Sequence, residues 1–116
     1  MSEELGKRAV DCKHWRWMPG MLTEGWRLVC VSFHDGTWSA ISTLTHREYH
    51  YPTLPDLTDP ATLGCLLALV REAHKDAYMT IGCVDGDWIV TDCDGREVSR
   101  ARSESEALVA ALEAAE

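Results

Sequence analysis

TDPATLGCLLALVREAHK, residues 58–75, is the stretch on which the fold turns. Thr58 or Asp59 can cap a helix whose first position is Pro60, where a missing N–H costs nothing and the fixed φ already suits the turn. Leu63, Leu66, Leu67, Val70 and His74 then recur at the spacing of one helical face. Cys65, Ala68 and Leu69 fill the flanks, so the middle of this helix is apolar nearly all round and is expected to lie buried between other elements. Arg71, Glu72, His74 and Lys75 make the last turn polar, with cations at the negative end of the helix dipole.

Strand signals stand on both sides of this helix. Trp26 to Ser42 holds two strand-like runs around Asp35-Gly36, a dipeptide suited to a two-residue hairpin loop. That loop sets Phe33 against Trp38 and Val31 against Ala40, with Val29 on the same, core-facing side. Residues 43–57 carry Pro52 and Pro55 and no sustained period, which reads as a long connection. Beyond the helix, Tyr78–Val84 and Asp87–Cys93 flank Asp85-Gly86, and here the register sets Cys83 against Trp88, Ile81 against Val90 and Met79 against Asp92. Asp94-Gly95 turns the chain into a weaker strand, Glu97–Ala101. A strict two-residue loop there would oppose Asp92 and Glu97, so a longer loop or a bulge is expected. Ser103 and Glu106 form a capping box that opens a last helix with Leu108, Ala111, Leu112 and Ala115 on one face. Near the N-terminus, residues 2–13 read as a short helix with Leu5, Ala9 and Cys12 on one side, and Pro19-Gly20 as a type II turn. The order is α-β-β-α-β-β-β-α. The fold class is therefore α+β, an antiparallel sheet of about five strands with two Asp-Gly hairpins packed on a central buried helix.

The chain's 116 residues suffice for a single domain, 1–116, with a real core, and its 46% apolar and 26% charged content is that of a globular protein. The longest unbroken apolar run, Cys65 to Val70, is far too short to span a bilayer, and no apolar leader follows SEELGKR. A cytoplasmic protein is expected, with its five cysteines, an odd count without a Cys-x-x-Cys pair, reduced. The net charge of −8 is uneven. Residues 1–75 carry nine acids and eight bases, and residues 76–116 carry ten acids and three bases. Such a chain lacks the basic face of a nucleic-acid binder and favours basic protein partners.

Candidate chemistry is sparse. His46 and His50 lie four apart and could share a metal on a helix, but Arg47 occupies the place of a zincin's glutamate and Pro52 follows closely. An EF-hand frame through Asp92, Asp94 and Gly95 puts Val90 and Ala101 where essential carboxylates belong. A dyad of Cys12 or Cys93 with a distant histidine has no motif behind it, and no nucleophile elbow, phosphate loop or dinucleotide fingerprint is present. No cofactor is implied and an enzyme is not prompted. The segment with most character is Trp15, Arg16, Trp17 and Met18, residue types enriched where proteins bind one another. Asp85, Asp87, Asp92, Asp94 and Glu97 form a second candidate, an acidic hairpin edge that could mimic nucleic acid.

The blocks GKRAV at Gly6–Val10, WRWMPGML at Trp15–Leu22, LPDLTDPATLGCLLALVREA at Leu54–Ala73 and SEALVAALEAA at Ser105–Ala115 resemble small proteins encoded by bacteriophages and prophages, which carry similar blocks in the same order around a variable middle. His74 departs from the aromatic expected at its place. The resemblance carries over no activity, fold or site residue. It implies a setting, a phage accessory protein inside a bacterium. With that setting, the expected function is a non-enzymatic module that binds a host or phage protein through its acidic or aromatic surface. The alternatives are a small ligand- or metal-binding domain or enzyme built on the His46–His50 loop, and a structural or oligomeric assembly subunit.

Overall fold

The computed structural model describes residues 2–31, 37–41, 47–50 and 52–116. Helix α1 spans Ser2–Asp11 and a four-stranded antiparallel sheet follows, made of β1 (Leu22–Thr23), β2 (Trp26–Val31), β3 (Trp38–Ile41) and β4 (Arg47–His50) in that order. Helix α2 spans Pro60–Ala73. A three-stranded antiparallel sheet then forms from β5 (Thr80–Val84), β6 (Asp87–Thr91) and β7 (Glu97–Ala101), and α3 (Glu104–Ala114) closes the order. The α+β class holds, but in place of the expected sheet of about five strands the described residues form two separate sheets, of four and three strands. Both additional strands are short. β1 is closed by Glu24 and Gly25 at φ 48° and 82°, the left-handed pair of a tight hairpin, and β4 forms inside the stretch read as a connection.

The first hairpin departs from its expected register. Val31 stands opposite Trp38 rather than Ala40, and the ladder shifts between Leu28 and Cys30. The bulge at Val29 places Leu28 opposite Ala40, so the core side is Leu28, Trp38 and Ala40. Residues 32–36, with Phe33 and the Asp35-Gly36 turn, lie outside the described residues.

The second hairpin keeps its expected register, though its ladder stops at Thr80 and Thr91, short of the expected Met79–Asp92 pair. Cys83 pairs with Trp88 and Ile81 with Val90, around Asp85 at φ 52° and Gly86 at φ 86°. On its packed side Met79 and Val90 are fully buried. The expected irregularity also occurs in the strand that follows. Val90 faces Ser99 while Thr91 faces Glu97, leaving an extra residue on β7 that keeps Asp92 off Glu97.

The central helix is α3, not α2. Ala107, Leu108, Val109, Ala111 and Leu112 of α3 are all buried, and the helix packs against β6, β7, α1 and α2. In α2 the buried face is Thr62, Leu66, Leu69 and Val70, while Leu63 and Leu67 are half-buried and Ala61, Gly64 and Ala68 are exposed. The cause is volume. Alanines at 107 and 111 let neighbours approach α3 from several sides, whereas the leucines of α2 seal one flank only. Both caps are as expected. The Asp59 carboxylate accepts from Thr62 N, and Ser103 Oγ accepts from Glu106 N at 3.2 Å.

Candidate protein-interaction surface

Each sheet ends in edge strands whose outward N–H and C=O groups can pair with another chain, and natural edges are blunted by charge, shortness or bulges. β1 has two residues, the REYH of β4 carries Arg47 and Glu48, and β7 carries Glu97, Arg100 and a bulge. The fourth edge, β5, has none of these devices. Its sequence TIGCV is uncharged, contains no proline and pairs with β6 in unbroken register. Four of its five residues are exposed. Among the described residues the two exposed large apolar side chains are Tyr78, 79% exposed just before this strand, and Val84, 52% exposed at its end.

The two-residue turn decides which groups face outward. A loop of this kind is closed by a hydrogen-bonded pair, here Val84 and Asp87, and bonded pairs alternate along an antiparallel ladder. Thr80, Gly82 and Val84 therefore turn their backbone groups toward β6, and Ile81 and Cys83 turn theirs away. Beside this edge lies a groove of about 290 Å³ lined by Leu63, Gly64 and Leu67 of α2, Ile81 of β5, and Glu104 and Leu108 of α3. A strand added to β5 would run along an apolar wall.

The charges near β5 differ at its two ends. Asp85 is exposed at the turn that ends the strand. At its start, Arg71 Nε donates to the Met79 carbonyl at 2.9 Å. Asp76 ties the approach to β5 to the far turn, its carboxylate accepting from Tyr78 N and Cys93 N at 2.9 Å each. Those N–H groups, Cys93's first, hold the Asp76 carboxyl below its usual range, and Asp76 in turn pushes the Cys93 thiol up. Cys93 is thereby a poor nucleophile at neutral pH. Cys12 Sγ points to the Leu112 carbonyl at 3.7 Å.

The aromatic segment, a candidate binding surface, lies partly against the core and partly in the open. Trp15, Trp17 and Met18 are half-buried against the core, and the tryptophan rings meet edge to face at 5.3 Å. Trp15 Nε1 is buried and finds no acceptor among the described residues. Arg16 points outward and pairs with Glu72 at 2.6 Å. This segment covers one end of the core.

The acidic hairpin residues do not gather into one patch. Asp85 and Asp87 stand at one end of β6 and Asp92 and Asp94 at the other, roughly 17 Å apart by strand rise. Arg100 joins Glu97 at 2.8 Å and Asp87 at 3.3 Å. Asp92 accepts from the N–H groups of Asp94 and Arg96, which holds the β6–β7 turn. Asp85 and Asp94 are exposed.

The helical spacing on which the His46–His50 metal reading depended is not formed, because Arg47–His50 is strand β4. His46 and the His50 side chain lie outside the described residues. Among the described residues no three His, Cys, Asp or Glu side chains gather as a metal site, and no helix is long and apolar enough to cross a membrane.

The described residues thus form an α+β protein with two antiparallel sheets, one of them ending in the uncharged edge strand β5. Compared with family models, with curated proteins and with solved structures, it matches none. The β5 edge was missed in the sequence reading, although its signal was present. Ala77 to Val84 is eight residues without charge or proline, between Asp76 and Asp85.

Proposed function

We propose that this protein works by association rather than catalysis, as a protein-binding module that accepts a partner strand on β5. The observation that carries the reading is the open, uncharged outer edge of β5 beside the groove of Leu63, Gly64, Leu67 and Ile81. In strand addition, backbone hydrogen bonds give affinity and pockets for alternate side chains give selectivity. The acidic residues act as a rim that tunes partner choice, and the tryptophans serve the core. The resemblance to small phage and prophage proteins supplies the setting for that association, a bacterial cell.

Cys83 offers a clean test, because its N–H faces outward and takes no part in the β5–β6 ladder. Cys83→Pro removes one outward donor, whereas Cys83→Val keeps it. The tagged protein is used to capture proteins from a bacterial lysate that also holds an untagged copy. The expected result is a bound protein, whether a bacterial protein or the untagged copy, retained by Cys83→Val and reduced at least about tenfold by Cys83→Pro, the equivalent of one or two lost hydrogen bonds. Equal retention by Cys83→Pro contradicts the reading.

A further inference from the structure

We infer that the strand accepted by β5 is the β5 of a second copy of this chain, giving a two-fold symmetric dimer with one continuous six-stranded sheet. The inference rests on the strand-addition reading above and names its partner. A two-fold contact must be self-complementary, since every residue i that meets j also meets it in reverse. β5 meets that condition when paired antiparallel about Gly82. Ile81 of each copy then faces Cys83 of the other, and these are the two residues whose N–H and C=O groups point outward. Their pairs make the hydrogen-bonded rungs on either side of the axis.

The axis itself falls on Gly82, at a rung without hydrogen bonds where side chains come closest. A Cβ at Gly82 would meet nothing within 4 Å among the described residues of the single chain, so packing among them does not require a glycine there. That open space lets two copies meet at the axis without a clash. On the same face, the exposed Val84 of one copy stands opposite Thr80 of the other.

Charge agrees with this register. Residue 85 of one copy falls opposite residue 79 of the other. The exposed Asp85 carboxylate is then brought to the Met79 carbonyl that Arg71 holds at 2.9 Å, so each end of the contact joins a carboxylate to a guanidinium. The strand between them is uncharged, which keeps like charges away from the axis despite the net charge of −8.

Sedimentation equilibrium of the intact chain over a wide concentration range tests the inference. Twice the 13.0 kDa chain mass is expected at high concentration. Gly82→Lys fills open space in the single chain but sets two ammonium groups face to face at the axis. It is expected to weaken the dimer by at least about a hundredfold while leaving the melting temperature at low concentration unchanged. Gly82→Thr, uncharged, keeps the dimer, and Asp85→Asn, which suits the same backbone conformation, weakens it several-fold and reduces its salt dependence. A chain that stays monomeric throughout overturns the second copy as partner, and capture that Cys83→Pro still abolishes would leave the strand-addition reading standing. A dimer indifferent to Gly82→Lys overturns both the partner and the edge as the contact.

Discussion

Replacing Leu112 with alanine is expected to cost about 3–4 kcal/mol, a large fraction of the stability of a domain this size. Leu112 is fully buried in the last turn of α3, the helix against which α1, α2, β6 and β7 pack. Its carbonyl also accepts from Cys12 Sγ, so the residue sits where the N-terminal helix meets the core. Truncation leaves a cavity that rigid neighbours on several sides cannot close. The same change at the half-buried Leu67 of α2 is expected to cost less than about 1.5 kcal/mol, because water already reaches that flank. Urea unfolding of both variants checks the contrast. A larger loss at Leu67 than at Leu112 would restore α2 as the central helix.

The second large effect belongs to Asp59. Its carboxylate caps α2 through Thr62 N and Thr62 Oγ1, each at 2.9 Å. It also takes both guanidinium nitrogens of Arg27, one at 3.0 Å, and Arg27 reaches on to the Gly20 carbonyl at 2.9 Å. One side chain therefore joins the start of α2 to β2 and to the Pro19-Gly20 turn. Arg27 first, then the Thr62 donors, hold the carboxyl down at about 2 against the opposing effect of its burial. A carboxylate whose folded pKa lies below its unfolded value stabilises the fold above the unfolded value and loses that contribution as pH falls through the folded one. The Asp59 contribution of roughly 2 kcal/mol is thus expected at neutral pH and lost between about pH 4 and pH 2. Asp59→Ala is expected to lose about 2–3 kcal/mol at pH 7 and to flatten the acid limb of the stability profile. Asp59→Asn, which still accepts from Thr62 N, should fall between. Urea titrations at pH 7 and pH 3 measure both effects, and an unchanged acid limb in Asp59→Ala would contradict the assignment.

What could be read from the sequence divides along the same physical lines. Helix starts were legible because capping is local, and Asp59 with Pro60, and Ser103 with Glu106, needed no tertiary information. The second hairpin was legible because Asp85-Gly86 closes it in two residues, and a tight turn sets the register of everything beyond. The first hairpin carries the same dipeptide, yet among the described residues its ladder sets Val31 against Trp38 and contains a bulge at Val29. That register puts Leu28, Trp38 and Ala40 in the core.

The choice of central helix failed for a different reason. Leucine content marked α2, whereas burial follows how many elements can approach, and alanine is silent on that in a sequence. The two short strands β1 and β4 leave too few residues for a period. The candidate site was the least legible part, because an edge strand is defined by which neighbour is missing. Its trace was the absence of charge between Asp76 and Asp85. The conspicuous tryptophans and acids drew attention to residues that hold the core and the turns.

Amide hydrogen exchange along β5, followed as the protein is concentrated, tests the central claim most directly. In dilute solution Gly82, bonded to β6, is expected to exchange slowly while Ile81 and Cys83 exchange fast. On concentration the protection should spread to Ile81 and Cys83, as their outward N–H groups find a partner strand. Fast exchange at Ile81 and Cys83 at every concentration, with Gly82 still protected, would contradict pairing of this edge with a second copy.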